Sequence, residues 1–179
     1  MDPMTSRTLR SALAIGASAA VLICSAATAP ASASQSPSYV RLQVEYSGKC
    51  LTVEKGSMRS YAEVIQSTCE DGLDNQLFEL IPSGSALFRI RAKHSGSCIY
   101  GTAQRWCVDD GDDESKWRVI LVDVTKDLYE LRFTTWFDRD ADQCLTIDPN
   151  ALNSDGAHTL VQRCIQHPMQ HWRLQSVDS

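Results

Sequence analysis

The stretch DNQLFEL at residues 74–80 recurs in altered form near the end of the chain, as MQHWRL at residues 169–174. A third copy, ESKWRVIL, lies between them at residues 114–121. Each copy places an aromatic residue directly ahead of a short segment of β-forming residues, which indicates an internal repeat of three units. The three aromatic residues are Phe78, Trp117 and Trp172.

Cysteine pairs frame the same three units. The first cysteines of successive units lie 48 and 46 residues apart, a period typical of repeat architectures. The cysteine-bearing segments of the first unit are SGKCLTV (47–53) and AEVIQSTC (62–69). Those of the second unit are HSGSCIY (94–100) and QRWC (104–107), and those of the third are DQCLTID (142–148) and DGAHTLVQRC (155–164).

Each unit consists of short β-branched and aromatic runs separated by glycine-containing turns, and no segment has a sustained helical period. We count about four strands per unit and about twelve in all. A unit of this size cannot bury its apolar face alone, so the sequence predicts an all-β fold, a β-trefoil of three repeats with pseudo-threefold symmetry and one shared core. The predicted core residues are Leu51, Val53, Val64, Phe78, Leu80, Ile90, Ile99, Trp117, Val119, Leu145, Ile147, Val161, Trp172 and Leu174.

Residues 1–33 have the composition of a cleaved secretory signal peptide. Arg7 and Arg10 precede an alanine-rich apolar run at residues 13–27, and the small residues at 31–33 mark a cleavage site. The apolar run is too short and too rich in alanine for a membrane span. We therefore expect a secreted protein that does not insert into a membrane.

The predicted organisation after cleavage is a short linker at residues 34–38 and one domain at residues 39–179. Met1 and Met4 are both possible starts, and either leaves the same mature chain. Cleavage removes two of the 17 basic residues and one of the 22 acidic residues, which leaves a net charge of −6. An acidic chain without a basic stripe argues against a nucleic-acid partner. We expect a monomer.

Removal of the N-terminal segment, which contains Cys24, leaves six of the 7 cysteines. An even number of cysteines is typical of disulfides in exported domains. Composition cannot select among the possible connectivities, but the repeat predicts one sequential pair in each unit. The predicted disulfides are Cys50–Cys69, Cys98–Cys107 and Cys144–Cys164.

Residues 39–175 resemble the ricin B-chain type lectins, also called family 13 carbohydrate-binding modules. The resemblance rests on three features: a G-x-C-L motif, a cysteine about twenty residues later, and a Gln-x-aromatic signature at the end of a unit. The signature positions here are Gln76-Leu77-Phe78, Ser115-Lys116-Trp117 and Gln170-His171-Trp172. The resemblance implies the same β-trefoil fold and a secreted module that binds a glycan or polysaccharide.

The resemblance also implies where sugar-binding residues should lie. In binding units of this family an Asp stands two residues after the first cysteine, an Asn precedes the terminal Gln, and an aromatic residue stands two residues before the second cysteine. A carboxylate makes strong hydrogen bonds to sugar hydroxyls, and a ring covers the apolar face of the sugar. This chain departs at the Asp position, with Thr52, Tyr100 and Thr146, and at the aromatic position, with Ser67, Arg105 and Gln162.

The remaining candidates favour the third unit, then the first, then the second. In the third unit Asp148 is displaced two positions from Thr146 and could replace the missing carboxylate, because both side chains share one face of a strand. The alternative is that Asp148 shapes a turn with the following Pro149 and Asn150. The candidate carbohydrate-binding residues are Asp148, Gln162 and Asp155 in the third unit and Gln66, Asn75 and Gln76 in the first.

Other constellations predict no catalytic, metal or cofactor site. The acidic run at residues 109–114 lacks the alternating spacing of a calcium loop. His167 and His171 have the spacing of a helical metal pair, but Pro168 lies between them. The sequence has no G-x-S-x-G motif for a nucleophilic serine, and pairing of the six cysteines leaves no free thiol. We therefore expect no enzyme activity. The alternative function is a degenerate trefoil that has lost sugar binding and binds a protein, as an inhibitor, toxin subunit or adhesion factor.

Overall fold

The computed structural model describes residues 38–84, 86–108, 116–134 and 142–177. These residues contain twelve β-strands. The strands are β1 (Tyr39–Val44), β2 (Cys50–Val53), β3 (Val64–Ser67), β4 (Phe78–Pro82), β5 (Leu87–Ala92), β6 (Cys98–Tyr100), β7 (Ala103–Arg105), β8 (Lys116–Asp123), β9 (Leu128–Thr134), β10 (Gln143–Ile147), β11 (Ala157–Arg163) and β12 (His171–Val177). Short 3₁₀ turns lie at Glu54–Gly56, Asp74–Gln76 and Pro168–Gln170.

Six of the strands close into an antiparallel barrel. Strand β1 pairs with β12 and β4, β5 pairs with β4 and β8, and β9 pairs with β8 and β12. Closure leaves none of these six strands as an open sheet edge. The other six strands form one hairpin per unit, β2–β3, β6–β7 and β10–β11. This is the predicted β-trefoil, with four strands in each unit.

The three units share one core, as the repeat predicts. The aromatic residues of the three copies are fully buried. The indole N–H of Trp117 donates to the carbonyl oxygen of Ile99 (2.9 Å), and that of Trp172 donates to the carbonyl oxygen of Leu145 (3.2 Å). All the predicted core residues lie in the buried cluster, except for four that are partly buried and pack against it: Leu80, Val119, Val161 and Leu174.

A buried glutamine closes the first and third units. The Gln76 side chain donates to the Thr68 carbonyl oxygen (2.9 Å) and accepts from the Glu70 N–H (2.9 Å). The Gln170 side chain donates to the Arg163 carbonyl oxygen (3.0 Å) and accepts from the Ile165 N–H (2.8 Å). Each amide therefore satisfies backbone groups just after β3 or at the end of β11, as a buried polar group requires.

The structure contains the three predicted disulfides. The paired Cα atoms lie 5.1 Å apart in the first unit, 4.9 Å in the second and 5.1 Å in the third. Each bridge ties the start of a hairpin to the segment that follows it.

In the part of the chain that the structure describes, no helix is long and apolar enough to cross a membrane. The predicted signal peptide at residues 1–33, Ser115 and the acidic run at residues 109–114 lie outside the described residues.

An ion pair joins the third unit to the first. The Asp155 carboxylate accepts from the Lys49 ammonium group (2.7 Å) and from the Thr68 N–H (2.7 Å). The hydrogen bond from Lys49 lowers the pKa of Asp155 against the opposing effect of desolvation, and the bonds from Thr68 lower it further. Asp155 is therefore more acidic in the folded protein than in the unfolded chain.

We predict that Asp155→Asn lowers the free energy of unfolding at neutral pH by about 1 kcal/mol or less, since the side chain is 57% exposed. A lowered folded-state pKa stabilises the fold above the unfolded pKa of about 4, and this contribution is lost as pH falls through the folded pKa. Urea denaturation at pH 7 and pH 3 should therefore show a difference from wild type that shrinks at pH 3. Asp71→Asn is the control, because the Asp71 side chain is fully exposed in its pair with Arg41. An equal loss in both variants would contradict the prediction.

Candidate functional site

A groove of about 590 Å³ lies along the β2–β3 connection of the first unit. This connection spans residues 54–63, whereas the equivalent connection of the second unit has only residues 101 and 102. The side chains of the longer connection itself line the groove. The residues that line the groove are Glu54, Lys55, Ser57, Arg59, Ser60, Tyr61, Ala62 and Glu63.

Tyr61 is the aromatic residue of this groove, and its side chain is 67% exposed. Its backbone adopts a left-handed conformation with φ of 65°, which a bulky residue rarely adopts. The Tyr61 N–H donates to the Gln104 carbonyl oxygen of the second unit (2.7 Å), which holds this conformation. Strained backbone of this kind is frequent at binding sites. A hydrogen bond to a neighbouring unit thus fixes the backbone that carries the exposed ring.

The second unit also supports the rest of the connection through Gln104. This side chain is fully buried, and its amide donates to the carbonyl oxygens of Ser57 and Arg59. Its amide oxygen accepts from the Ser95 hydroxyl (2.8 Å). The Nε2 atom of His94 lies 3.0 Å from the same Ser57 carbonyl oxygen. The groove is therefore ordered by contacts that do not depend on a ligand.

Charged side chains surround the exposed ring. Glu54 and Lys55 form an ion pair of 2.8 Å, and the hydrogen bond and charge of Lys55 lower the pKa of Glu54. Glu54 is therefore a carboxylate at neutral pH and can accept hydrogen bonds from hydroxyl groups. The Glu63 carboxylate lies 3.3 Å from Nδ1 of His158 on β11, so the third unit reaches the far side of the groove.

In the first and third units, a threonine stands where the resemblance places the sugar-binding Asp, and its hydroxyl bonds within the protein. The Thr52 hydroxyl donates to the Cys50 carbonyl oxygen (2.9 Å) and lies 2.9 Å from the Ser67 hydroxyl. Thr146 is fully buried, and its hydroxyl donates to the Cys144 carbonyl oxygen (3.0 Å). Neither threonine presents a group to solvent, so both units have a structural hydroxyl where the resemblance expects a binding carboxylate.

In the second unit the corresponding residue is Tyr100. Its ring packs edge-on against Phe133, and the Arg105 guanidinium lies 5.3 Å from the ring centroid. Arg105 occupies the position where the resemblance expects an aromatic residue. The second unit therefore pairs a cation with an aromatic ring at these two positions. Its exposed aromatic residue is instead Trp106, next to the disulfide.

The predicted first-unit candidates have different locations. Gln66 and Gln76 are fully buried, and the Gln66 amide donates to the Leu152 and Ser154 carbonyl oxygens of the third unit (2.8 and 3.0 Å). Both glutamines serve internal structure. Asn75 is partly buried beside the 3₁₀ turn of the groove, and its amide donates to the Val53 carbonyl oxygen (2.9 Å). Asn75 is thus the first-unit candidate nearest to the groove.

The predicted third-unit candidates do not come together. Asp148 accepts hydrogen bonds from the N–H and the side-chain amide of Asn150 (both 2.9 Å). It therefore shapes a turn, which was the alternative to a role in sugar binding. The Asp148 N–H bonds to His158, whereas Gln162 lies opposite Cys144, four residues further along β11. This separates the two positions by about 13 Å. Asp155 is engaged in the ion pair with Lys49.

Sequence reasoning missed Tyr61, Glu54 and Glu63. Two signals could have identified them: the length of the β2–β3 connection, and one aromatic residue within the polar segment SMRSYAE at residues 57–63. Glu54 also follows Cys50 by four positions, which is the spacing of Asp148 from Cys144. The displaced carboxylate is therefore present in two units, and among the residues that the structure describes only the first unit combines it with an exposed ring.

Comparison with known proteins shows a similarity to one family. A family model described as "Ricin-type beta-trefoil lectin domain-like" matches residues 28–102, and the described fold is a β-trefoil. This part of the chain is similar to the ricin-type β-trefoil lectin-like domains. The similarity supports carbohydrate binding at the level of the family.

Solved structures with the same fold include single-domain proteins and one domain of a longer enzyme. The designed threefold-symmetric protein ThreeFoil has a TM-score of 0.65 and 28% identity over 78% of this chain and 99% of its own. The C-half of the earthworm R-type lectin in complex with GalNAc has a TM-score of 0.60 and 20% identity over 79% of this chain and 100% of its own.

An exo-β-1,3-galactanase from Clostridium thermocellum has a TM-score of 0.66 and 21% identity over 80% of the lectin-like chain. The match covers 31% of that enzyme. A comparison with curated protein sequences finds no significant match.

We predict that Gln104→Leu loosens the groove of this lectin-like domain. Removing the amide leaves the Ser57 and Arg59 carbonyl oxygens without their partner, so the free energy of unfolding should fall by about 1–3 kcal/mol. Hydrogen exchange of the Ser57 and Ala62 amides, which bond within the connection, should accelerate. Gln66→Leu is the matched control, because it removes the equivalent amide from the third-unit loop. Equal acceleration of the groove amides in both variants would refute the prediction.

Proposed function

We propose that this protein is a secreted, monomeric carbohydrate-binding module without catalytic activity, whose principal binding site is the groove of the first unit. The observation that carries the proposal is the exposed Tyr61 ring, which lines the same groove as the ionised carboxylate of Glu54 on a pre-ordered connection. Lectins of the same fold have been solved with GalNAc and with 6'-sialyllactose, which supports a glycan as the ligand class. The disulfides are typical of exported domains.

The groove offers both kinds of contact that sugars require. The face of the Tyr61 ring can cover the C–H groups of a pyranose, and the Glu54 and Glu63 carboxylates can accept hydrogen bonds from adjacent hydroxyls. The Lys55 and Arg59 side chains add donors at the rim. Because Gln104 and the second unit hold the connection in place, little ordering entropy opposes binding. In this proposal Glu54 and Tyr61 take the roles that the resemblance assigns to an Asp and an aromatic residue at other positions.

The proposed module has weak affinity at a single site. The groove is open, and among the described residues only the first unit combines a long β2–β3-type connection with an exposed aromatic ring. The third-unit connection carries Asp148 and Asn150 without a ring and provides at most a secondary contact. Useful avidity would then come from repeated ligands or from display of several copies.

We predict that Tyr61→Ala abolishes glycan binding or weakens it at least tenfold, because the ring is the apolar contact surface of the groove and a tenfold change in affinity corresponds to about 1.4 kcal/mol. The experiment is a glycan array on the purified domain, followed by calorimetric titration of the strongest ligand. Glu54→Gln should weaken binding by a smaller factor, since it replaces charge-assisted hydrogen bonds with neutral ones.

Tyr46→Ala is the matched control, because Tyr46 is also an exposed tyrosine but stacks on His167 outside the groove. Binding that is retained by Tyr61→Ala and lost in Asp148→Ala would move the site to the third unit. Absence of any ligand for the folded domain would reject carbohydrate binding by this chain.

The alternative function, a protein-binding module, is favoured by one surface feature. Leu121, Val122 and Val124 are exposed on and beside the end of β8, and the Val124 side chain is 78% exposed. Contiguous exposed apolar side chains are typical of protein-binding sites. Cross-linking in the native medium distinguishes the two functions. A stoichiometric protein partner that is lost in Val122→Asp and retained in Tyr61→Ala would favour the alternative.

A further inference from the structure

A buried carboxylate and an imidazole face each other where β9 pairs with β12. Glu130 and His171 are direct partners in the register of these strands. The Glu130 side chain is 0% exposed, and the His171 side chain is 14% exposed. Atom Oε1 of Glu130 lies 3.9 Å from Nε2 of His171. Neither of these two atoms has a hydrogen-bond partner among the residues that the structure describes.

The other polar atoms of both side chains are already held. The second oxygen of Glu130 accepts from Nε and a terminal nitrogen of Arg132 (3.0 and 2.7 Å). Nδ1 of His171 lies 3.0 Å from Oε2 of Glu45. Arg132 in turn donates to Asp142 (2.9 Å). These contacts fix the orientation of the carboxylate and of the imidazole, and they direct the two unpartnered atoms towards each other.

This arrangement has the chemistry of a metal site. Histidine ligands commonly bond a carboxylate through one ring nitrogen and the metal through the other, as Glu45 and His171 would here. Zinc binds imidazole nitrogen and carboxylate oxygen at about 2.0–2.2 Å, so one ion can bridge atoms 3.9 Å apart after a shift of a few tenths of an ångström. We propose that Glu130 and His171 bind a divalent transition-metal ion of the zinc class.

Access to the site and its coordination number follow from its surroundings. His171 and Glu45, together with Lys126, line a pocket of about 500 Å³, so the imidazole ring borders open space although its Nε2 atom is buried. The sulfur atoms of Cys144 and Cys164 also lie within 4.8 Å of the Glu130 carboxylate. They are joined in a disulfide, and a metal ligand requires a thiolate. Two protein ligands plus water therefore make a weak site.

The second unit does not repeat this pairing. In the second unit the equivalent strand pairing places Arg89 opposite Lys116, and two cations cannot bind a metal ion. The site is also separate from the groove of the first unit, so its test does not depend on glycan binding. The sequence analysis predicted no metal site, because Glu130 and His171 are far apart in the chain and form no recognisable motif.

The test is calorimetric titration of the untagged protein with Zn²⁺, together with NMR spectra of the histidine ring resonances. The expected result is one bound equivalent, with a shift confined to His171 among the four histidines of the chain. His171→Gln should weaken binding at least a hundredfold. Glu45→Gln should weaken it about tenfold, because the second carboxylate only orients the ring.

His158→Gln is the matched control, because His158 forms an ion pair with Glu63 in which both side chains are more than half exposed. Its affinity for Zn²⁺ should equal that of wild type. The proposal is overturned if Zn²⁺ at millimolar concentration leaves the His171 resonances unchanged in the wild-type protein. It is also overturned if binding survives in His171→Gln, since the ion would then be bound at another site.

Discussion

Burial of Phe78, Trp117 and Trp172 in one common centre is the constraint on which the rest of the structure depends. No unit has enough strands to cover its own aromatic residue, so stability requires all three units together. The two indole N–H groups are satisfied by carbonyl oxygens of β6 and β10, which also fixes each hairpin against the barrel. The aromatic core therefore determines both the closure of the barrel and the positions of two hairpins.

The hairpins then depend on their neighbours for the structure of their connections. In register, Leu51 lies opposite Gln66, Ile99 opposite Gln104 and Leu145 opposite Val161. The two glutamines bond carbonyl oxygens in the long connection of the adjacent unit. The third unit adjoins the short connection of the second unit, and it has the apolar Val161 where the other two units have a glutamine. A β-carbon added at Gly101, in that short connection, would lie 3.9 Å from the Val161 side chain.

The threonines at positions 52 and 146, where the resemblance expects an Asp, have a structural role here. A threonine at position 52 or 146 bonds inward, to the backbone of its own strand and to the glutamine that closes the unit. Such a hydroxyl strengthens the fold of the unit but presents no group to a ligand. The exposed carboxylate lies two positions later, at Glu54 or Asp148. In the first unit this displacement places it in the groove that contains Tyr61.

The sequence by itself determined the three units, the core residues and the disulfide pairing, because all three follow from a period visible along the chain. Tertiary structure decided which of the candidate residues come together. Asn75 was predictable from its place beside Gln76, but Gln66 looked like a ligand until the buried contact with the third unit appeared. Tyr61 depends on Gln104 of the second unit, and Glu130 meets His171 only across the β9–β12 pairing. Such contacts join residues from different units or from opposite ends of one unit, and their geometry is set by barrel closure, which leaves no local spacing in the sequence.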